Sequence, residues 1–237
     1  IWEKRNLDVA TIEIVVESSD TLGDLKNALS SINSSYSVLK IPANKVDLSI
    51  YAEDYGYRFI ETQLVLRGKV KQIAKEAEKI LMRNKSFSVE TDNSSRMFDY
   101  VASKINEGIF QTDRIAVDPF FNKKIANARY ANWLLDLKKD ENAHMQIMKK
   151  SGNIVAFNLN KRRGICSHGL IGGLLKEYQH EPLGMYWGAA ILKNVSEYTD
   201  VDLWEATVSS NNYSVIKIWE YFGMQISNIS SVFVKHC

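Results

Sequence analysis

Apolar and polar positions alternate over residues 10–16, with Ile12, Ile14 and Val16 on one side, and this period of two predicts a strand. After Asp20-Thr21, which can cap a helix, Leu22, Leu25, Leu29 and Ile32 fall on one helical face. Residues 36–41 read as a strand stopped by Pro42, residues 44–55 as a helix stopped at Gly56, and residues 57–66 as a long strand. The first part of the chain is therefore expected as β-α-β-α-β. A helix over 69–82 places Val70, Ile73, Ala77 and Leu81 inward. Residues 87–91 predict a short strand, and Asn93-Ser94 caps a helix with Met97, Val101 and Ile105 on one side. A loop is expected from 110 to 119, then a helix from 121 to 139.

The last third changes character. Strands are expected over 144–149, 153–159 and 165–175, with turns at Ser151-Gly152 and at 160–164. The third of these carries Gly169, Gly172 and Gly173, a sign that something packs closely against it or that it bulges. A helix over 184–198 follows, then a strand over 203–208 with Trp204, Ala206 and Val208 alternating, a helix over 213–222 closed by Gly223, and strand-like residues 225–234. The stretch from Ile50 to Tyr57 echoes that from Ile216 to Met224: each is an aromatic-rich helix end, a glycine and a strand start. The echo reads equally as an internal repeat or as a common helix-glycine-strand joint.

Composition narrows the class. Of 237 residues, 45% are apolar and 24% charged, which supports a packed core and argues against disorder. A net charge of +2 lacks the basic excess of a duplex-DNA binder, so no nucleic-acid partner is expected. No apolar run reaches the roughly 18–20 residues that span a bilayer, no leader-like pattern opens the sequence, and a cytoplasmic location without a membrane partner is expected. Cys166 and Cys237 read as buried, reduced thiols. His144, His168, His180 and His236 never fall at a helical metal-ligand spacing, so no metal is expected.

Chemistry concentrates between residues 172 and 184, where a glycine-rich strand ends and a helix begins at Gly184. A helix N-terminus offers unpaired amides and partial positive charge, which suits a diphosphate, and glycine there lets a ligand approach the backbone. The segment Gln179-His180-Glu181-Pro182-Leu183-Gly184, preceded by Leu174-Leu175-Lys176-Glu177-Tyr178 and followed by Asn212, Val215, Ile218, Trp219 and Gly223, resembles the two motifs of the GCN5-related N-acetyltransferase superfamily. The resemblance covers residues 144–237. Residues 113–120 and 129–133, with 54–62, are similar to the TDP-fucosamine acetyltransferase-like bacterial subgroup, whose members carry an N-terminal α/β domain and acetylate an amino group on a nucleotide-linked deoxysugar.

The resemblance implies a mixed α/β central sheet with flanking helices, preceded by a smaller α/β domain. It divides the chain into 1–68, a helical connection at 69–109 and an acetyltransferase domain at 110–237. It implies acetyl-CoA as acyl donor, lying in an opening between the strands at 165–175 and 203–208. Gly172 and Leu174 would face its pantetheine arm, and Gln179, His180, Glu181, Leu183, Gly184 and Asn212 complete the donor site. Two positions depart from the family's pattern: Pro182 stands for a glycine and lacks an N–H, and Trp219 stands where a tyrosine supplies the leaving thiolate's proton.

Asp113, Arg114, Asp118 and Trp219 are the candidates for the acceptor site. Arg114 can grip an acidic group of the acceptor or pin its loop to the domain; Trp219 can wall the acyl pocket or fill the core. No catalytic residue is assigned; Tyr178, His168 and Glu177 are the candidates, each with a structural alternative. His168 can be a base or a backbone-bonded histidine, Glu177 a base or a solvated carboxylate, and Tyr178 a donor or a packing residue. Tyr130 and Trp133 read as core and Lys161-Arg162-Arg163 as a solvated turn. The expected function is N-acetylation of a small amine, with an amino-sugar nucleotide as the leading acceptor, by a chain for which a homodimer is compatible. Its rivals are a degenerate fold of the same type that binds without turnover, and an enzyme for a peptide or antibiotic amine.

Overall fold

The structure is a computed structural model and describes residues 2–236. In chain order its elements are α1 (Trp2–Leu7), β1 (Thr11–Val15), α2 (Leu22–Ser30), β2 (Tyr36–Pro42), α3 (Val46–Asp54), β3 (Arg58–Lys69), α4 (Val70–Met82), β4 (Phe87–Thr91) and α5 (Ser95–Asn106). There follow α6 (Arg114–Val117), α7 (Lys123–Asp136), β5 (Ala143–Lys150), β6 (Asn153–Arg163), β7 (Cys166–Leu174), α8 (Gly184–Val195), β8 (Leu203–Ser209), α9 (Tyr213–Tyr221) and β9 (Gln225–His236).

Local signals fix most of these. Thr21 accepts the Asp24 amide while Asp24 accepts the Thr21 amide, a capping box that starts α2. The Ser94 hydroxyl accepts the Met97 amide at the start of α5. In α4 the spacing buries Val70, Ile73, Ala77 and Ile80 on one stripe, with Leu81 at its margin. Two short helices escape the hydrophobic period, α1 and α6, the second lying inside the expected 110–119 loop. The turn expected at 160–164 is a correction: residues 160–163 belong to β6, and the chain reverses at Gly164-Ile165. Lys161 pairs with Asp140, while Arg162 donates to His144 and lies over the Tyr198 ring, so the basic residues are held on a strand.

Among the described residues, nine strands form one sheet, in the order β1-β2-β9-β3-β8-β7-β6-β5-β4. The position read as a boundary near residue 68 falls within β3, which lies between β9 and β8. β1 and β2 are parallel, as are β7 and β8; the other neighbours are antiparallel. One face carries α4, α8 and α9 over Trp204, Leu66 and Val208, with α2 and α3 over Leu39, Ile41 and Phe233. The opposite face carries α5 and α7 over Ile147, Phe157 and Ile171, and α1 and α6 over Tyr36, Val38 and Val232. Among the described residues no helix is long and apolar enough to cross a membrane, and Cys237 lies outside them.

The sequence echo falls on equivalent joints. β2-α3-β3 and β8-α9-β9 have elements of equal length, seven, nine and twelve residues. Gly56 and Gly223 hold φ of 92° and 79° at the same place in each unit. The last strand of each unit is inserted beside the other's: β9 pairs with β2, and β3 pairs with β8, each over seven residues.

Gly169 explains part of the glycine-rich strand. A Cβ there would meet the Trp204 ring at 2.6 Å. Gly169→Ala is therefore expected to lower stability by about 1–3 kcal/mol through overpacking, read as a reduced urea midpoint with an unchanged slope.

Candidate active site

β7 and β8 share ladder hydrogen bonds only from Cys166–Leu203 to Gly169–Ala206. Beyond that, β7 follows β6 to Leu174, while β8 follows β3 to Ser209. The two parallel strands separate, and their facing backbone edges border a cleft. The irregularity between Leu159 and Asn160, opposite Gly169 and Ile171, bends β7 away. Gly172 lies so close to β6 that a Cβ would meet Asn158 Oδ1 at 2.6 Å and the Phe157 carbonyl at 3.0 Å.

The cleft has an outer and an inner compartment, of about 1150 and 690 Å³, open to solvent. Phe110, Thr112, Gly172, Trp187, Asn212 and Val215 border both, so they are continuous. Leu174, Gln179, Glu181 and Gly184 border the outer one. Here α8 begins without a side-chain cap, so the amides of its first turn are left to other partners. The loop before it is held by Glu181 N–H on the Tyr178 carbonyl and Leu183 N–H on the Glu181 carbonyl. Gln179 Nε2 donates to the Ile109 carbonyl at 3.1 Å, and Glu181 is neutralised by Lys150 at 2.7 Å.

Three tryptophans back the inner compartment. Trp219 stands 5.8 Å from both Trp187 and Trp204, ring centre to ring centre. Trp187 Nε1 donates to the Phe157 carbonyl, while the buried Trp204 Nε1 is without a partner. Beneath the tryptophans runs a chain of amides: Asn158 donates to Asn160 and Gln146, Gln146 to Asn194, and Asn194 to Thr91. The opposite wall is Phe110, Thr112, Asp113 and Tyr130, with Phe110 and Tyr130 rings 4.4 Å apart. Asn127, buried on α7, accepts the Phe110 N–H at 2.9 Å and donates to the Phe110 carbonyl at 3.0 Å, clamping this wall.

The sequence candidates divide. Gly172, Leu174, Gln179, Glu181, Gly184, Asn212, Asp113 and Trp219 border the cleft, and Asn212 also caps α9. His180 is exposed and outside the lining, while Leu183 is buried in the core. Tyr178 packs between the two cores flanking β7. A hydrogen bond from its own backbone, helped by the paired Lys104, holds the Glu177 carboxyl below the usual range. His168 Nδ1 is 3.1 Å from Glu205, whose other oxygen receives Arg67; Cys166 completes this group, its donor atoms all within 4.8 Å of one another. Burial pushes the Cys166 thiol up. Arg114 is buried and paired with Glu3 at 3.2 Å and Glu13 at 3.4 Å, and Asp118 holds His236 at 2.8 Å.

Tyr130, whose spacing from Trp133 predicts a core residue, borders the inner compartment, and no sequence pattern marks Glu61. Glu61 is 2% exposed and lies on the same face of β3 as Gln63, whose Nε2 donates to it at 2.9 Å. Burial raises its carboxyl above the ordinary value, against the neighbouring Ser209, Gln63 and Arg114 and with help from Asp113. Burial likewise raises the Tyr130 hydroxyl, which stays protonated at neutral pH.

Neither a protein-family model nor a curated protein matches this sequence. Solved structures do. A functionally unknown conserved protein from Staphylococcus epidermidis ATCC 12228 superposes with a TM-score of 0.65 at 12% identity, over 94% of this chain and 83% of that one. A GCN5-related N-acetyltransferase from Kribbella flavida gives 0.58 at 11%, over 94% and 77%. A tandem GNAT protein from the clavulanic acid biosynthesis pathway gives 0.54 at 12%, over 90% and 67%. The mixed nine-stranded sheet with flanking helices is the fold of these N-acetyltransferases.

Two outcomes test the wall. Asn127→Ala leaves the Phe110 amide and carbonyl unpaired and is expected to cost about 2 kcal/mol, with faster hydrogen exchange over 108–113. Glu61→Gln is expected to be more stable than the parent at neutral pH. A raised carboxyl favours the fold less as pH rises above its ordinary value of 4.5, so the difference should shrink toward that pH in denaturant titrations.

Proposed function

We propose that this chain, which has the fold of the GCN5-related N-acetyltransferases, transfers an acetyl group from acetyl-CoA to a small amine. The separation of β7 and β8 beside the first turn of α8 is the observation that carries this reading. The outer compartment receives the pantetheine arm along Gly172 and Leu174 and the diphosphate at the amides from Gly184 onward. The inner compartment holds the thioester against Trp219, and the amine approaches from the wall of Asp113 and Tyr130.

The reaction is attack of a neutral amine nitrogen on the thioester carbonyl. A C–N bond forms, the C–S bond breaks, and the proton shed by nitrogen neutralises the thiolate. Holding both reactants in one cleft supplies the effective concentration. Trp219 is 2% exposed and packed among aromatic rings, so it shapes the acyl pocket and is no substitute for a tyrosine acid. That packing also favours the second reading, a fold that binds acyl-CoA without turnover.

The amino-sugar nucleotide suggested by the sequence stays among the acceptors to test. Arg114 is buried and its Nη2 pairs with Glu3 and Glu13, so Arg114→Ala is expected to act on stability.

Calorimetry is expected to show acetyl-CoA binding to the parent and none to Gly184→Asp at the same concentrations. The new side chain adds charge beside the diphosphate and would meet Ile218 at 2.9 Å. No heat with the parent at millimolar acetyl-CoA refutes the donor assignment. Amine-dependent release of the CoA thiol separates the enzyme from the binding protein.

A further inference from the structure

Cys166, His168 and Glu205 lie on the part of β7 and β8 that stays joined, before the strands separate. Cys166 and His168 are two residues apart on β7, so they project from one face of the sheet. Glu205 stands opposite His168 in the ladder and projects with it. Trp204, beside Glu205 in sequence, points the other way, into the core under α8. The three side chains are half-buried, and one donor atom from each lies within 4.8 Å of the others. His168 Nδ1 is already 3.1 Å from Glu205 Oε1, and Cys166 is a free thiol.

A thiolate, an imidazole and a carboxylate form a donor set for zinc; magnesium and calcium prefer oxygen alone. A tetrahedral zinc ion sets such atoms about 3.4–3.6 Å apart, so the sulfur has to close by about 1.3 Å at most. The carboxylate is oriented for the task. Arg67, opposite Glu205 on β3, donates to Glu205 Oε2 from Nε at 2.9 Å and from Nη2, which turns Oε1 toward His168. The other cations on this face belong to β6. Lys161, opposite His168, is paired with Asp140, and Arg163, opposite Cys166, is exposed to water. A thiolate and a carboxylate together balance a divalent ion.

We propose that Cys166, His168 and Glu205 bind a zinc ion, with water in the fourth position, and that the ion pins β7 to β8 at the foot of the cleft. The S–H bond of Cys166 gives way to an S–Zn bond and its proton goes to solvent; His168 coordinates through Nδ1 and carries its proton on Nε2. The helical spacing of histidines misses this set because its members come from two neighbouring strands. The site stands apart from acetyl transfer and does not rest on it.

The test uses the full chain, reduced and freed of metal with a chelator, and titrates it with zinc chloride or cobalt chloride. Calorimetry is expected to show one zinc ion bound with micromolar or tighter affinity. Cobalt should give the intense visible bands of a tetrahedral site and a thiolate charge-transfer band in the near ultraviolet. Zinc should raise the thermal midpoint in proportion to the logarithm of its excess. Cys166→Ser is expected to remove the charge-transfer band. Cys166→Ser, His168→Ala and Glu205→Gln should each weaken zinc at least tenfold with an unchanged far-ultraviolet circular dichroism spectrum. Cys237→Ser and His180→Ala should leave both affinity and spectrum as in the parent. Absence of binding at submillimolar zinc, an octahedral cobalt spectrum without the thiolate band, or an affinity that follows Cys237 instead of Cys166 each overturns the inference. The cobalt spectrum of the parent decides the matter even where a variant fails to fold.

Discussion

The parting of two parallel strands is the constraint on which this molecule is organised. Parallel neighbours normally satisfy each other's backbone groups along their whole length, and an open stretch inside a sheet exposes polar edges that need partners. Here β7 and β8 stay joined over four residue pairs and then diverge. The joined part is closed by the Trp204 ring against Gly169; the divergent part is held open because β7 is drawn to β6 by the close approach at Gly172. Every other feature of the cleft follows from that geometry, including the tryptophan backing and the position of the first turn of α8.

The polar interior is arranged around the same opening. Side-chain hydrogen bonds run from Asn160 through Asn158, Gln146 and Asn194 to the Thr91 hydroxyl, and the three inner members are each placed by two neighbours, which stiffens the ladder. On the far side the cations Arg114 and Arg129 are fixed by Glu3, so α1 is tied to α6 and α7 by buried charge. Removing one partner from such a group leaves an uncompensated charge, a loss of roughly 3–5 kcal/mol. Short as it is, α1 is thereby coupled to the wall that Asp113 carries.

Local structure was legible in the sequence wherever a single element decides it. Caps at Thr21 and Ser94, the α4 stripe and the glycines that end α3 and α9 speak for themselves. Gly172, Gln179, Gly184 and Asn212 border the cleft from one strand end, one loop and two helix starts, features that a short motif can carry. Tyr130 could not, since its spacing from Trp133 is that of two core neighbours on a helix. Arg114 looked like a ligand group because nothing in the order of residues says that Glu3 and Glu13 lie beside it. Glu61 was invisible for the same reason: its partners on α6, α7 and β8 are remote in the chain, and only the exchange of β3 and β9 between the two units brings it under Asp113.

That exchange has a consequence for how the chain reaches its native state. β9 is made after every other strand, yet it fills the gap between β2 and β3. Until it arrives, those two strands present open edges, the condition that invites mispairing between chains. Contacts so distant in sequence carry a high loop-closure cost and slow the search for the native pairing. The earlier unit therefore has to wait, partly assembled, for the later one to finish it, and synthesis through β9 becomes the event that commits the whole sheet.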